Sequence, residues 1–240
     1  MSARVGLLVP SSNTVAEADF YRRLPAAATL HTARMYLDAV TPEDEAVMLD
    51  EHLPPALRDL ATTRPDVVVF ACTSAGTLRG NAYEEALVAR IGERTGARAI
   101  SVAAAVRRAI AVRGARRIGV ITPYVQALNE TILASLEEEG FEVAWIHGMG
   151  ISANAEIGAV EPARIAEFAR EKFRGAGASR VNLRGAAVDL VFVSCTNFRA
   201  FEAREQIERE LGVPVVTSNH AALEAVVELL EATTAGPRRG

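Results

Sequence analysis

The sequence predicts an α/β protein of two pseudo-symmetric lobes, each a mostly parallel sheet flanked by helices, with the active site in the cleft between them. Three observations carry this expectation. Short β-branched runs alternate with longer stretches of helical periodicity, the pattern of a parallel sheet covered by helices. Three segments recur in the same order roughly 120 residues further along. In each half, one apolar run leads into a Cys-Thr step, at Cys72-Thr73 and at Cys195-Thr196.

Taken in order, strands are expected at residues 5–9, 30–36, 67–71, 97–101, 117–122, 142–147, 190–194 and 213–217. Several are continuous apolar runs, as befits strands buried on both faces. Helices are expected at 43–63, 83–95, 103–112, 125–139, 162–175, 199–211 and 221–232. The first of these should break or kink at Pro54-Pro55, because proline lacks the helical N–H donor. Thr41-Pro42 reads as its start, with Thr41 as N-cap and Pro42 at the first helical position. Gly140 reads as the stop of the helix before it. The tail, 231–240, is rich in Gly, Pro and Arg and reads as flexible.

The recurrence is specific. Arg4-Val5-Gly6-Leu7-Leu8-Val9-Pro10 is echoed by Arg117-Ile118-Gly119-Val120-Ile121-Thr122-Pro123. Val67-Val68-Val69-Phe70-Ala71-Cys72-Thr73 is echoed by Leu190-Val191-Phe192-Val193-Ser194-Cys195-Thr196. A weaker echo joins the segments 96–101 and 212–217. Two lobes follow, at 1–112 and 113–230, with one helix exchanged across their boundary. Duplication sets equivalent strand ends opposite each other, and the cleft between them is the natural ligand site.

Composition narrows the function. Half of the 240 residues are apolar and 23% are charged, enough to bury a sizeable core. A net charge of -4 gives no basic footprint, so neither nucleic acid nor a membrane surface is an expected partner. No apolar run approaches the roughly 20 residues that cross a bilayer, and the stretch from Val5 to Val9 is too short for a signal peptide. The expected setting is the cytoplasm, where two cysteines stay free thiols. A homodimer is the default assembly for such a protein.

Each cysteine lies at the carboxyl end of a buried strand, where open α/β sheets bind ligands. Thr73 and Ser74 after one, and Thr196 and Asn197 after the other, offer backbone N–H groups near a helix start, a cradle for an anion. A thiol in that field should favour its thiolate, the form a nucleophile or base requires. Asn13 follows the first strand and reaches the same end of the sheet. Its amide either donates to a carboxylate or simply closes a turn on its own backbone. Tyr124 holds the equivalent place in the second half, as a donor to a substrate oxygen or as a packing residue. Asn154 reads as a plain loop Asn.

The four histidines lack metal-ligand spacing, so no metal is expected. No glycine-rich phosphate loop follows the first strand, and Ser74 is not set in a nucleophile elbow. No cofactor is expected, which leaves acid–base or nucleophilic work by thiols.

These residues resemble the aspartate/glutamate racemase superfamily. The segments Val9-Pro10-Ser11-Ser12-Asn13-Thr14, Ala71-Cys72-Thr73-Ser74, Thr122-Pro123-Tyr124 and Ser194-Cys195-Thr196-Asn197, with Asn154, look like its maleate cis-trans isomerase branch. That resemblance implies a small dicarboxylate substrate and a covalent succinyl-cysteine intermediate. Cys72 would be the nucleophile and Cys195 the proton donor and acceptor. Asn13, Tyr124, Asn154 and the loops at Thr73-Ser74 and Thr196-Asn197 would hold the two carboxylates. Arylmalonate decarboxylases resemble the pattern with only the second cysteine. Amino-acid racemases usually add groups that receive an ammonium, and no acidic residue stands beside either cysteine in the sequence. The isomerase-like proteins of ectoine breakdown share the Pro-Ser-Ser-Asn type of start. A non-catalytic dicarboxylate-binding protein is the reading from outside enzymology.

Overall fold

The computed structural model describes residues 2–175 and 188–234. Among the described residues, eight parallel strands form two four-stranded sheets. The first holds β1 (Ala3–Pro10), β2 (Ala28–Met35), β3 (Val67–Phe70) and β4 (Arg98–Ser101) in the order β2-β1-β3-β4. The second holds β5 (Arg117–Thr122), β6 (Glu142–Gly148), β7 (Leu190–Val193) and β8 (Val215–Thr217) in the order β6-β5-β7-β8. Identical strand order in both sheets is the structural form of the sequence echo. The middle strands β3 and β7 are buried at every position, whereas β2 and β6, at the edges, are mostly half-exposed. That contrast follows from composition: Val67-Val68-Val69-Phe70 and Leu190-Val191-Phe192-Val193 offer no polar face.

Helices fill the crossovers. In the first half they are α1 (Ala16–Arg23), α2 (Pro42–Val47), α3 (Leu53–Ala61), α4 (Thr73–Thr77), α5 (Asn81–Thr95) and α6 (Val102–Val112). In the second they are α7 (Gln126–Glu138), α8 (Asn154–Ala159), α9 (Pro162–Gly175), α10 (Ala200–Leu211) and α11 (Ser218–Thr234). Three of these, α1, α4 and α8, have no counterpart in the expected elements, because they are short and lie where loop chemistry dominates the sequence. Helix α11 packs on α6, β3 and β4, all elements of the first half. The expected flexible tail, 231–240, is helical to Thr234, and the rest of it lies outside the described residues. Among the described residues no helix is long and apolar enough to cross a membrane.

The kink expected at Pro54-Pro55 falls earlier. Residues Met48–His52 form a wide π-type turn, in which the Leu53 N–H reaches back to the Met48 carbonyl. The prolines, which can donate nothing, then sit harmlessly in the first turn of α3. Gly119 has a packing reason of its own: a side chain there would overlap the Trp145 indole on neighbouring β6. Only glycine admits that approach.

Both sheets reverse winding direction at their centre, between β1 and β3 and between β5 and β7. The carboxyl ends of those strands are switch points, where open sheets bind ligands. Residues 11–13 leave β1 and Cys72 leaves β3; Pro123-Tyr124 leave β5 and Cys195 leaves β7. The chain thus carries its candidate site residues at equivalent ends of two sheets.

Candidate active site

Cys72 caps the start of α4 with an ordinary extended backbone, φ −139°. Cys195 has φ 100°, a conformation that costs a residue with a side chain about 1–3 kcal/mol. Its surroundings hold it there. The Cys195 N–H donates to Ser218 Oγ at 3.0 Å, and the Asn197 N–H donates to Cys195 Sγ at 3.3 Å. Thr73 Oγ1 donates to the same Ser218 Oγ at 2.9 Å, so one hydroxyl of α11 ties the two cysteine loops together. Although duplicated in sequence, the two thiols occupy different backbones.

The amides form a seam between the halves. Asn13 Oδ1 accepts the N–H groups of Val15 and Ala16, which starts α1, while its Nδ2 donates to Thr196 Oγ1 at 3.0 Å. Thr196 Oγ1 in turn donates to the Ala71 carbonyl. The Thr14 N–H donates to Asn197 Oδ1 at 2.8 Å, and Asn197 Nδ2 donates to the Asn154 carbonyl and to Asn154 Oδ1. Asn154 Nδ2 donates to Ser12 Oγ. Asn154 is therefore not a plain loop residue: it opens α8 and is buried. Above this seam the loops after β2 and β6 pair with each other, through Val40 N–H to the Ser152 carbonyl and an antiparallel bridge between Ala39 and Ala153.

All nine residues singled out in the sequence, Asn13, Cys72, Thr73, Ser74, Tyr124, Asn154, Cys195, Thr196 and Asn197, are buried. Their hydrogen bonds modify the expected division of labour. The Ser74 hydroxyl is engaged by Glu45, and the Thr73 hydroxyl by Ser218. Asn197 is spent on the seam. Asn13 both closes its turn and keeps one amide hydrogen beyond the bond to Thr196, so the two readings of it are compatible. Tyr124, 2% exposed, hydrogen-bonds the Cys195 sulfur with its hydroxyl.

Electrostatics overturn one expectation. A helix start was expected to favour the thiolate, yet burial pushes the Cys72 thiol well above its ordinary range, and the nearby Glu45 carboxyl pushes it the same way. The backbone N–H of Ala75 opposes this, but α4 has only five residues and a weak field. Burial also pushes Cys195 up, to about 12, against the Tyr124 hydroxyl that stabilises its thiolate. Desolvation outweighs the hydrogen bonds to both sulfurs. Each cysteine rests as a thiol.

Glu45 is the residue that the sequence reading missed. It lies on α2, fully buried, with Oε1 accepting from Ser74 Oγ and standing 3.9 Å from Cys72 Sγ. A signal existed. Glu45 precedes the buried Met48 and Leu49 by three and four residues, which sets a carboxyl on the apolar stripe of a helix. Ser218 was missed too, being an unremarked residue after the last strand.

Two matching parallel sheets, each with a cysteine after its middle strand, define the two-lobed class of the aspartate/glutamate racemases. The family profile of arylmalonate decarboxylase matches residues 5–240. A maleate isomerase of Pseudomonas putida is 30% identical over 250 residues, covering 99% of this chain and 95% of the relative. The arylmalonate decarboxylase of Bordetella bronchiseptica is 28% identical over 225 residues, covering 94% and 89%. A solved cysteine-to-serine mutant of Nocardia farcinica maleate cis-trans isomerase, with a covalently bound succinylcysteine intermediate, superposes with a TM-score of 0.83 at 26% identity, covering 96% and 94%. The chain belongs to the arylmalonate decarboxylase family, in the maleate isomerase branch of the racemase superfamily.

Proposed function

We propose that this chain isomerises maleate to fumarate through a succinyl adduct on Cys72, with Cys195 as the proton donor and acceptor. The observation that carries the reading is the pair of buried thiols at equivalent strand ends, in a chain that aligns along its length with a relative trapped as succinylcysteine. The sulfur of Cys72 bonds to one olefinic carbon. Cys195, a thiol that keeps its proton at neutral pH, delivers it to the next carbon, and the proton given up by Cys72 replaces it. The charge that develops spreads into the adjoining carboxylate, where donors on Asn13 and Asn154 stabilise the transition state more than the ground state. The carbon–carbon bond is now single and rotates. In the reverse of the addition the carbon–sulfur bond breaks, Cys195 takes the carbon-bound proton while its own proton returns to the Cys72 sulfur, and fumarate leaves. A cytoplasmic homodimer is part of the same proposal.

The test follows loss of maleate absorbance in wild type and Cys72→Ala. Loss of turnover is expected, and full activity in the variant overturns the mechanism. Mass spectrometry of Cys195→Ala with maleate should find a succinyl group on the Cys72 peptide; an adduct on Cys195 in the wild type reverses the roles. A two-cysteine racemase is the second reading, favoured by the Glu45 carboxyl beside Cys72, a group able to receive a substrate ammonium. Exchange of solvent deuterium into the α-carbon of an amino acid would support it.

A further inference from the structure

The proposed reaction uses two thiols and two amides, and leaves the buried Glu45 carboxyl beside Cys72 without a task. Glu45 Oε1 accepts the Ser74 hydroxyl, but its Oε2 is buried and has no hydrogen-bond partner. Among the described residues no Arg, Lys or His forms an ion pair with it. On the adjoining turn Asp50 is held by Arg79, and His52 stands edge-on to Tyr36. Helix α4, packed against α2, carries no charged side chain. The ionisable groups that feel Glu45 are Cys72, Cys195 and Tyr124, none of them a cation. An ionised carboxyl here would surrender its hydration with nothing positive to replace it, so keeping the proton costs far less.

We propose that Glu45 is a substrate-binding residue, held as a neutral carboxylic acid whose O–H donates to a substrate carboxylate. Oε1 is already an acceptor, which leaves the proton on Oε2, the oxygen without a partner. The carbon that bonds to Cys72 in a cis-enedioate itself bears a carboxylate, which therefore lies within two bonds of the sulfur, on the ground that Glu45 borders. A neutral donor there adds no charge to a pocket that must take in a dianion; an ionised Glu45 would repel it. The inference rests on the dicarboxylate reading above. Burial pushes the Glu45 carboxyl up to about 8, against the Ser74 and Cys72 hydrogen bonds.

The sign of the pH dependence follows. Below about pH 8 the acid binds; above it the competent fraction falls tenfold per pH unit, and apparent affinity falls with it. The experiment measures KM and kcat for maleate from about pH 6 to about pH 9.5 in wild type and Glu45→Gln. In wild type KM should climb toward tenfold per unit beyond about pH 8 while kcat changes little. In the Gln variant, a neutral donor of the same shape, KM should not vary with pH, whatever its absolute value. A flat wild-type KM, or the same climb in both proteins, overturns the proposal. So does a kcat/KM that rises through about pH 8 and collapses in Glu45→Gln, which would make Glu45 the base for Cys72. Infrared difference spectra of the substrate-free protein give a readout independent of turnover: a protonated-carboxyl band at neutral pH, lost above about pH 8 and absent from Glu45→Gln. Absence of that band in wild type refutes the neutral acid even if maleate is turned over. If maleate is not turned over, the dicarboxylate reading fails by itself, while the band and calorimetric binding of maleate against pH still decide the role of Glu45.

Discussion

Replacing Tyr124 by Phe removes one hydroxyl from a buried ring and leaves the packing of that ring intact. The hydroxyl donates to the Cys195 sulfur, and a hydrogen bond to a charged acceptor contributes about 1.5–3 kcal/mol. At about 1.36 kcal/mol per unit of pKa, its loss moves the Cys195 thiol upward by about one to two units. At a fixed pH below that range the thiolate fraction falls about 10- to 100-fold. The thiolate that does form is more basic and so about 3- to 8-fold more nucleophilic, given a Brønsted slope near 0.45. The net expectation is alkylation about 4- to 12-fold slower. The assay is iodoacetamide modification at about pH 9 in a Cys72→Ala background, so that one thiol reports. Thermal melts of both proteins should agree within a few degrees, since no cavity is made. Equal alkylation rates with and without the hydroxyl would refute the reasoning, because the phenol would then not be stabilising the thiolate.

Two further expectations concern stability. Between pH 4.5 and about 8 the folded protein holds a proton on Glu45 that the unfolded chain has released, so stability falls as pH rises through that window. The gap amounts to about 5 kcal/mol in all, and Glu45→Gln should flatten this part of the urea-denaturation profile. Asn197→Ala deletes the acceptor for the Thr14 N–H and the donor to Asn154; it should cost about 2–4 kcal/mol in urea melts and depress turnover by loosening the seam.

Much of the fold is written in local chemistry. All eight described strands were legible: runs such as Val67-Val68-Val69-Phe70 have no polar face and are short enough for central strands, and the mixed runs of β2 and β6 fall between helical stretches. The duplicated sheets were legible because three segments recur in the same order along the chain, with Gly6 and Gly119 at matching positions. The short helices were not, since α4 and α8 begin inside Cys-Thr-Ser and Ser-Ala-Asn segments that read equally well as loops. At the site, sequence pointed to the two cysteines, but it spoke for the wrong electrostatics: a helix start is visible in one dimension, whereas full burial is not. Glu45 shows the limit most plainly. Set among Glu43 and Asp44 it reads as one more acid favouring a helix start, and only tertiary packing brings it against a thiol 27 residues away.

Ser218 gives the fold an order of assembly. It is the first residue of α11, and it joins the Thr73 hydroxyl to the Cys195 backbone. On a ribosome the first sheet can pair as soon as β4 has emerged, yet the joint between the thiol loops waits for residue 218. At translation rates of about 5–20 residues per second, Cys72 exists for roughly 7–30 s before the hydroxyl that closes its loop has been made. During that interval it is a thiol without its cover; afterwards both cysteines are 5% exposed. Chemical damage to this protein should therefore fall on young chains more than on finished ones.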